Sequence, residues 1–262
     1  MALDGRLKTG IARCWSGARK LVPGPPKLTV LYYHAVAEAD VAAFERQMAW
    51  LANHANLVHA DHAGELDRQR PNVAVTFDDA FESVAINGLP AIIRHRIPVT
   101  IFVPTGWLGR PPGWQMESED RDERVMDAAQ LRGLPRGQVR FGSHTVDHPR
   151  LSTLTPAERE RQLVASREML EIMFESPIDT LAFPYGDHDQ RTIDQARLAG
   201  YRHVFTILPE AIRPEAGAIS RGRTAVAASD DLGLFALKAR GAFEWMPIAI
   251  RAKRIVRQIT RR

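Results

Sequence analysis

The sequence contains very little cysteine and no long apolar run. Its single cysteine, Cys14, excludes an intrachain disulfide and any metal site built from several thiolates. The longest apolar stretches, residues 28–33 and 99–103, are far shorter than the ~20 residues that a membrane-spanning helix needs. The N-terminus lacks an apolar run of signal-peptide length, and no G-x-S-x-G element of serine hydrolases occurs. We therefore expect a cytoplasmic protein in which His, Asp or Glu holds any metal.

Charge is distributed unevenly along the 262 residues. Hydrophobic residues make up 45% and charged residues 25% of the chain, which is typical of a folded globular protein. Residues 1–27 and 236–262 together carry 14 basic and two acidic residues, whereas the part between them has 21 basic and 29 acidic residues. Because phosphate binding requires a basic face on the folded domain, this acidic body makes nucleic acid an unfavourable partner.

Both ends of the chain show an amphipathic helical pattern. Apolar residues recur at spacings of three and four in the segments 1–27 and 242–262, and basic residues lie between them. Two interpretations remain open: the apolar stripes dock on the main domain, or the basic helices lie on an anionic membrane surface. The second interpretation predicts a peripheral protein on the inner face of the membrane. The main domain is predicted to span residues 28–241.

Short apolar runs alternate with helical patterns in this main domain. Strands are predicted at 28–33, 73–77, 99–103, 139–142, 180–183 and 203–206, and helices at 41–53, 85–95 and 157–174. Thr155, Pro156 and Glu158 form the start of a capping box for the last of these helices. Such alternation predicts an α/β fold with a parallel sheet or barrel. The irregular segment 106–137, rich in Pro, Gly and charge, is predicted to form a loop with one short helix on the functional rim.

Metal-ligating residue types follow two of the predicted strands. Asp78 and Asp79 come directly after the strand 73–77, and His144 and His148 follow the strand 139–142. The two histidines share a face if the chain turns helical there, so that both can reach one ion. One Asp with two His makes a ligand set with open positions, suited to Zn²⁺ or another first-row divalent ion. The second Asp is then free to act as a base, although acidic residues after a strand also cap helices.

A turn that contains an aromatic residue follows a third strand. Residues 183–186 read Phe-Pro-Tyr-Gly, a composition typical of a tight turn. The turn has two interpretations: it is structural alone, or it lines the site and directs the backbone N–H of Tyr185 towards a developing oxyanion.

Together these motifs resemble the polysaccharide deacetylases, the family with the NodB homology domain known as carbohydrate esterase family four. The resemblance rests on the segments 76–79, 144–152 and 183–186 in this order and separation, and it covers residues 28–241. The opening segment 31–36 resembles the branch that includes poly-N-acetylglucosamine deacetylases.

The resemblance implies a distorted (β/α)7 barrel and metal-dependent removal of an N-acetyl group from a sugar. It implies Asp78 as the general base and Tyr185 as an oxyanion donor. It also implies a divalent metal, most simply Zn²⁺, held by Asp79, His144 and His148. The substrate would be an N-acetylated glycan, either a polysaccharide or a lipid-linked glycan.

Two motifs of the family are missing from this chain. The arginine that normally precedes the Pro-aromatic pair is absent. Arg221 is the predicted substitute for holding the catalytic base, and a surface residue without this role is the alternative. The late histidine that normally acts as general acid is also absent, because no histidine follows His203. His34 ends the first predicted strand, and in a parallel barrel that strand end faces the same rim as the metal residues. We therefore predict that His34 donates the proton to the leaving amine, although a structural histidine is the simpler alternative.

Two other functions remain open on this evidence. One is a catalytically inactive barrel that binds a glycan or a protein. The other is a hydrolase of a different carbon–nitrogen bond, in a formamido sugar or a cyclic ureide. The complete set of base and ligand residues favours an active deacetylase.

Overall fold

The computed structural model describes residues 5–21, 24–114, 116, 119–213, 217–247 and 249. The predicted helix 41–53 is confirmed as α2, and 85–95 forms a π-helical turn followed by α3. The α-helices of the described ranges are α1 (Gly5–Leu21), α2 (Val41–His54), α3 (Leu89–Arg94), α4 (Ala128–Gly133), α5 (Pro156–Phe174), α6 (Gln190–Leu198) and α7 (Leu232–Ala239).

The strands of these ranges form one sheet of nine strands, and every pairing between them is parallel. The sheet runs in the order β8-β7-β6-β5-β4-β3-β1-β9, and β2 pairs with the start of β3. The strands are β1 (Leu28–Tyr33), β2 (Asn56–Leu57), β3 (Asn72–Phe77), β4 (Val99–Val103), β5 (Val139–Ser143), β6 (Thr180–Ala182), β7 (His203–Phe205), β8 (Ser220–Arg221) and β9 (Thr224–Ala225).

The seventh strand of the barrel is split into β8 and β9. The first part pairs with β7, and the second pairs with β1 at the other end of the sheet order. Only Gly222 and Arg223 lie between the two parts. Because extended chain spans at most about 3.5 Å per residue, this link brings the two edges of the curled sheet together. The predicted distorted (β/α)7 barrel is thus confirmed, with a break at its closing strand.

The elements form where the local sequence favours them. β1 and β4 have the predicted bounds because each is a fully buried and nearly continuous apolar run. The capping box at the start of α5 is also confirmed, since Thr155 Oγ1 accepts the Glu158 N–H at 3.4 Å and Glu158 Oε2 accepts the Thr155 N–H at 2.9 Å. The short helix predicted within residues 106–137 is α4.

The apolar core has two main layers. The interior cluster of the barrel includes Leu28, Val30, Phe102 and Phe205, all essentially inaccessible to solvent. A larger cluster packs the outer strand faces against helices.

The N-terminal helix docks on the barrel. Buried Ala12 of α1 forms a cluster with Ala242 and Phe243, next to α7. The docking interpretation therefore applies to the face of α1 that carries Ala12. It does not account for Leu7, which is 51% exposed. In the predicted C-terminal helix, residues 248 and 250–262 lie outside the described residues.

None of the described helices combines the length and the apolar character that crossing a bilayer requires.

Candidate active site

Loops at the carboxyl ends of the strands surround a cavity of about 470 Å³. Parallel strands deliver the residues that follow them to one rim, so side chains distant in sequence meet there. His34 follows β1, Asp78 and Asp79 follow β3, His144 and His148 follow β5, and Tyr185 follows β6. These six predicted site residues line the cavity together with Tyr32, Trp114, Met116, Asp120, Arg150, Phe183 and Ile207.

Arg223, rather than the predicted Arg221, holds the candidate base. The Arg223 guanidinium donates from Nη1 to Asp78 Oδ1 at 2.6 Å and from Nη2 to Asp78 Oδ2 at 2.8 Å. It is fully buried, donates from Nε to the carbonyl of Thr206 at 3.1 Å, and lies 4.6 Å from the ring centre of Tyr32. Burial alone would raise the pKa of Asp78, but the Arg223 charge and nearby histidines lower it to about 2. Asp78 is therefore ionised at neutral pH.

Arg221 lies elsewhere because the barrel strand breaks directly after it. It ends β8, and its Nη1 donates to the carbonyl oxygens of Ala60 and His62, outside the active-site cavity. Arg223 instead sits in the two-residue link, from which its side chain reaches Asp78. The Arg-x-Arg spacing indicates Arg223 as a second candidate, but no local sequence pattern indicates the break that separates the two arginine side chains.

Asp79, His144 and His148 form a compact buried cluster. One ligand atom from each lies within 4.8 Å of the others, and all three side chains are at least 95% buried. Asp79 Oδ1 lies 3.5 Å from His144 Nε2 and 3.3 Å from His148 Nε2. The position of the three predicted ligands is consistent with a single shared ion.

Hydrogen bonding at His144 directs a lone pair into this cluster. Its Nδ1 lies 2.8 Å from the carbonyl oxygen of Ala182, which only accepts, so Nδ1 carries the proton of the neutral ring. Burial lowers the pKa of His144 to about 4, which keeps the ring neutral at pH 7. Its Nε2 lone pair then faces Asp79 Oδ1, which has no hydrogen-bond partner among the described residues. Two buried acceptors that face each other are unfavourable without a cation between them, so these residues fit a divalent metal ion.

Strained loops, rather than a helix, hold the ligands. Of the seven non-glycine residues with positive φ in the described chain, five lie in the three site loops: Asp79, Ala80, Thr145, His148 and Tyr185. Residues 144–148 do not form the helical turn that would place both histidines on one face. The two histidines converge instead because Thr145 (φ 67°) and His148 (φ 58°) reverse the chain. Such strain is characteristic of functional sites, where surrounding contacts hold the backbone in place.

Aromatic side chains enclose His148 on two sides. Trp114, from the irregular insertion, stacks on its ring at 4.4 Å, and the Tyr185 ring meets it edge-on at 4.7 Å. The Arg150 guanidinium lies 4.3 Å from the centre of the Tyr185 ring. Gly186 (φ +63°) completes the turn, since a Cβ there would lie 2.4 Å from Ile207. The insertion is thus on the functional rim, as predicted, but the sequence did not single out Trp114 or Arg150.

His34 is exposed at the mouth of the cavity. It is close enough to both aspartates to lower the pKa of each electrostatically. Its ring meets the ring of Tyr32 edge-on at 5.7 Å. The side chain therefore occupies the rim with one face towards solvent and the carboxylates nearby.

The fold and the site define an α/β-barrel hydrolase with a candidate metal centre. Residues 65–204 match the sequence profile of the polysaccharide deacetylase family, which is more than half of the chain. The chain therefore belongs to the polysaccharide deacetylase family and is a hydrolase that acts on carbon–nitrogen bonds.

Curated relatives lie within the same family. "Putative polysaccharide deacetylase YxkH" of Bacillus subtilis (strain 168) is 23% identical over 213 residues, covering 77% of this chain and 72% of the relative. The poly-beta-1,6-N-acetyl-D-glucosamine N-deacetylase of Staphylococcus aureus (strain MRSA252) is 24% identical over 187 residues. That alignment covers 65% of this chain and 61% of the staphylococcal enzyme.

Solved structures share the fold. Streptococcus pyogenes deacetylase PplD superimposes with a TM-score of 0.69 at 19% identity, covering 83% of this chain and 99% of the other. IcaB from Ammonifex degensii gives a TM-score of 0.69 at 23% identity, with 83% and 97% coverage.

Proposed function

We propose that this protein is a zinc-dependent deacetylase that hydrolyses the N-acetyl group of an amino sugar in a polysaccharide or a lipid-linked glycan. The observation that carries the proposal is the buried Asp79–His144–His148 cluster beside Asp78, whose two carboxylate oxygens are held by Arg223. Similarity to the staphylococcal poly-N-acetylglucosamine deacetylase supports the amino-sugar substrate. The intact cluster also disfavours an inactive binding protein, in which we would expect ligands to be lost.

In this proposal Asp79, His144 and His148 hold the ion. When bound, a divalent ion supplies Lewis acidity, which polarises the amide carbonyl and lowers the pKa of a water molecule. Two histidines and one carboxylate with open positions suit Zn²⁺. The proton on His144 Nδ1, held by the Ala182 carbonyl, fixes the tautomer that this role requires.

The other site residues divide the proton transfers of amide hydrolysis. Asp78 accepts a proton from the attacking water, and Arg223 fixes the orientation of both its carboxylate oxygens. The backbone N–H of Tyr185 stabilises negative charge on the former carbonyl oxygen. His34 protonates the sugar nitrogen as the carbon–nitrogen bond breaks, releasing acetate and a free amine.

The proposed function is tested by acetate release from β-1,6-linked N-acetylglucosamine oligomers. We expect Asp78→Asn to retain the metal but to lose about 10²- to 10⁴-fold in turnover, the usual contribution of a general base. An N-formyl sugar and a cyclic ureide, assayed in parallel, test the alternative substrates. Unchanged turnover in Asp78→Asn would restrict Asp78 to a structural role, and hydrolysis of the ureide alone would replace the sugar proposal.

The role of His34 predicts different losses on an amide and an ester. The amine leaving group of an N-acetyl sugar needs a proton, whereas the alcohol of an acetyl ester departs more easily without one. We expect His34→Ala to bind metal normally and to lose about 10²-fold or more on the amide but less on the ester. Equal losses on both substrates would rule out the acid role.

The membrane interpretation of the basic termini now concerns the exposed side of α1. Arg6, Leu7 and Arg13 are exposed on this helix, while Ala12 faces the barrel. If α1 brings the enzyme to a lipid-linked glycan, the protein should float with anionic but not with neutral vesicles. Reversing two charges in Arg6→Glu, Arg13→Glu should then abolish flotation while sparing activity on soluble oligomers. Flotation that is unchanged in this variant would remove α1 from membrane binding.

A further inference from the structure

A second cavity lies at the opposite end of the barrel, where β7 and β8 begin. Its volume is about 460 Å³, and it shares no lining residue with the active-site cavity. Arg202, Arg213 and Arg221 line it, whereas Glu210 is the only carboxylate among its described lining residues. The described lining therefore carries an excess of positive charge.

Arg221 supplies an incompletely satisfied guanidinium to this cavity. The residue is only 3% exposed, and its Nη1 donates to the Ala60 carbonyl at 2.6 Å and the His62 carbonyl at 3.2 Å. Its Nε is buried and has no hydrogen-bond partner among the described residues. A buried cationic donor without an acceptor is costly, so the position favours an added acceptor.

His203 provides a second unsatisfied nitrogen beside Arg221. Its Nδ1 is buried without a hydrogen-bond partner in the described part of the chain, and the side chain lines the same cavity. Burial and the Arg221 charge lower the pKa of His203 to about 4, whereas Asp61 and Asp179 oppose the shift and Arg202 adds to it. An anion placed beside this ring would raise its pKa again.

The nearby carboxylates do not satisfy these groups. Both oxygens of Asp61 accept hydrogen bonds from Arg140 Nη1, at 2.8 and 2.6 Å. Asp179 lies 3.7 Å from Arg202 Nε. Each of these two carboxylates thus contacts a different arginine. Asp61 acts on Arg221 electrostatically, but Arg221 Nε has no hydrogen-bond partner among the described residues.

We propose that this cavity binds a phosphate-type oxyanion, either as free phosphate or as the phosphate group of an ester or lipid headgroup. Guanidinium groups pair with phosphate through several charge-assisted hydrogen bonds, and a phosphate offers more acceptor oxygens than a carboxylate. The volume accommodates a phosphate with a small substituent. The inference is independent of the deacetylase proposal, because it concerns the other end of the barrel.

The test is a titration of the metal-free full-length protein with inorganic phosphate. Calorimetry measures the binding, and the melting temperature reports its effect on stability. We expect saturable binding that raises the melting temperature and that persists unchanged in Asp78→Asn. Loss of one charge-assisted hydrogen bond should weaken binding about tenfold in Arg221→Gln. Because Arg221 is buried, its substitution can disturb folding, so Arg213→Gln at an exposed position is the second variant. Arg46→Gln, at an exposed position on α2, is the matched control and should bind phosphate normally.

The histidine provides a local readout of the same event. NMR of the ring protons of His203 measures its pKa. Phosphate should raise this pKa in the wild type and in Arg46→Gln, but should raise it less in Arg213→Gln. The proposal would be overturned if phosphate showed no saturable binding. It would also be overturned if Arg221→Gln and Arg213→Gln both bound phosphate as strongly as the wild type. Tighter binding of acetate than of phosphate would overturn the assignment of the anion.

Vesicles separate the two sources of phosphate. Flotation with phosphatidylglycerol vesicles that is lost in Arg213→Gln but kept in Arg46→Gln would assign the cavity to a lipid headgroup. Phosphate binding without such flotation would assign it to a soluble phosphate.

Discussion

The double variant His144→Ala, His148→Ala should contain no stoichiometric metal and should have no measurable deacetylase activity. Both rings belong to the buried cluster, and Asp79 alone offers too few ligands to hold a first-row ion tightly. The barrel should remain folded, because its two main apolar clusters extend far beyond this rim and do not depend on one ion. Metal content is measured by mass spectrometry after dialysis, and folding by circular dichroism.

Asp78→Asn is the control for this experiment. It removes the neighbouring carboxylate but none of the three proposed ligands, so it should keep one equivalent of metal while losing turnover. Retention of stoichiometric metal in the double histidine variant would show that the ion is bound elsewhere. The same measurement on the wild type identifies the metal and tests the proposal of zinc.

Arg223→Met should destabilise the protein more than any other single change proposed for this site. The substitution removes the guanidinium and leaves Asp78 as a buried, unpaired carboxylate. Breaking a buried ion pair in this way costs about 3–5 kcal/mol in the free energy of unfolding. Urea unfolding of the metal-free protein at pH 7 measures this loss, and turnover should fall with it because the base loses its orientation.

The pH dependence of this loss tests its cause. In the wild type the pKa of Asp78 is lowered to about 2, so the ion pair stabilises the fold above the ordinary aspartate pKa and loses its effect as pH falls towards 2. In Arg223→Met the arginine charge that opposes burial is gone, so burial, the largest influence, raises this pKa, and protonation relieves the unpaired charge as pH falls. The difference in stability should therefore shrink between pH 7 and pH 4.

A double variant separates charge from packing. Adding Asp78→Asn to Arg223→Met removes the unpaired charge and should recover part of the lost stability at pH 7. A stability difference independent of pH, with no recovery in the double variant, would mean that Arg223 acts through packing alone.

Elements with a strong local pattern could be predicted from the sequence. β1 and β4 are almost entirely apolar runs, each interrupted by one threonine, and α5 begins at a capping box. The strand ends also placed Asp78, Asp79, His144 and His148 together, because parallel strands bring their carboxyl ends to one rim.

The remaining features depend on contacts that local sequence does not encode. β8 and β9 have two residues each, Ser-Arg and Thr-Ala, so they lack an apolar signature. The break between them places Arg223, and not the predicted Arg221, against Asp78. The loop 144–148 has helical spacing but adopts left-handed backbone angles at Thr145 and His148. Trp114 lies in an irregular insertion, where no periodicity indicates which side chain turns inwards.

The split closing strand also determines when the site can be completed during synthesis. Asp78 and Arg223 are 145 positions apart, so at about 5–20 residues per second the arginine emerges roughly 7 to 30 s after the aspartate. A nascent chain that collapsed before then would bury a carboxylate without its counter-charge, which is unfavourable. Closure of the barrel and neutralisation of Asp78 therefore belong to one late folding step. A ribosome-bound chain stalled before Gly222 should accordingly remain open and sensitive to protease.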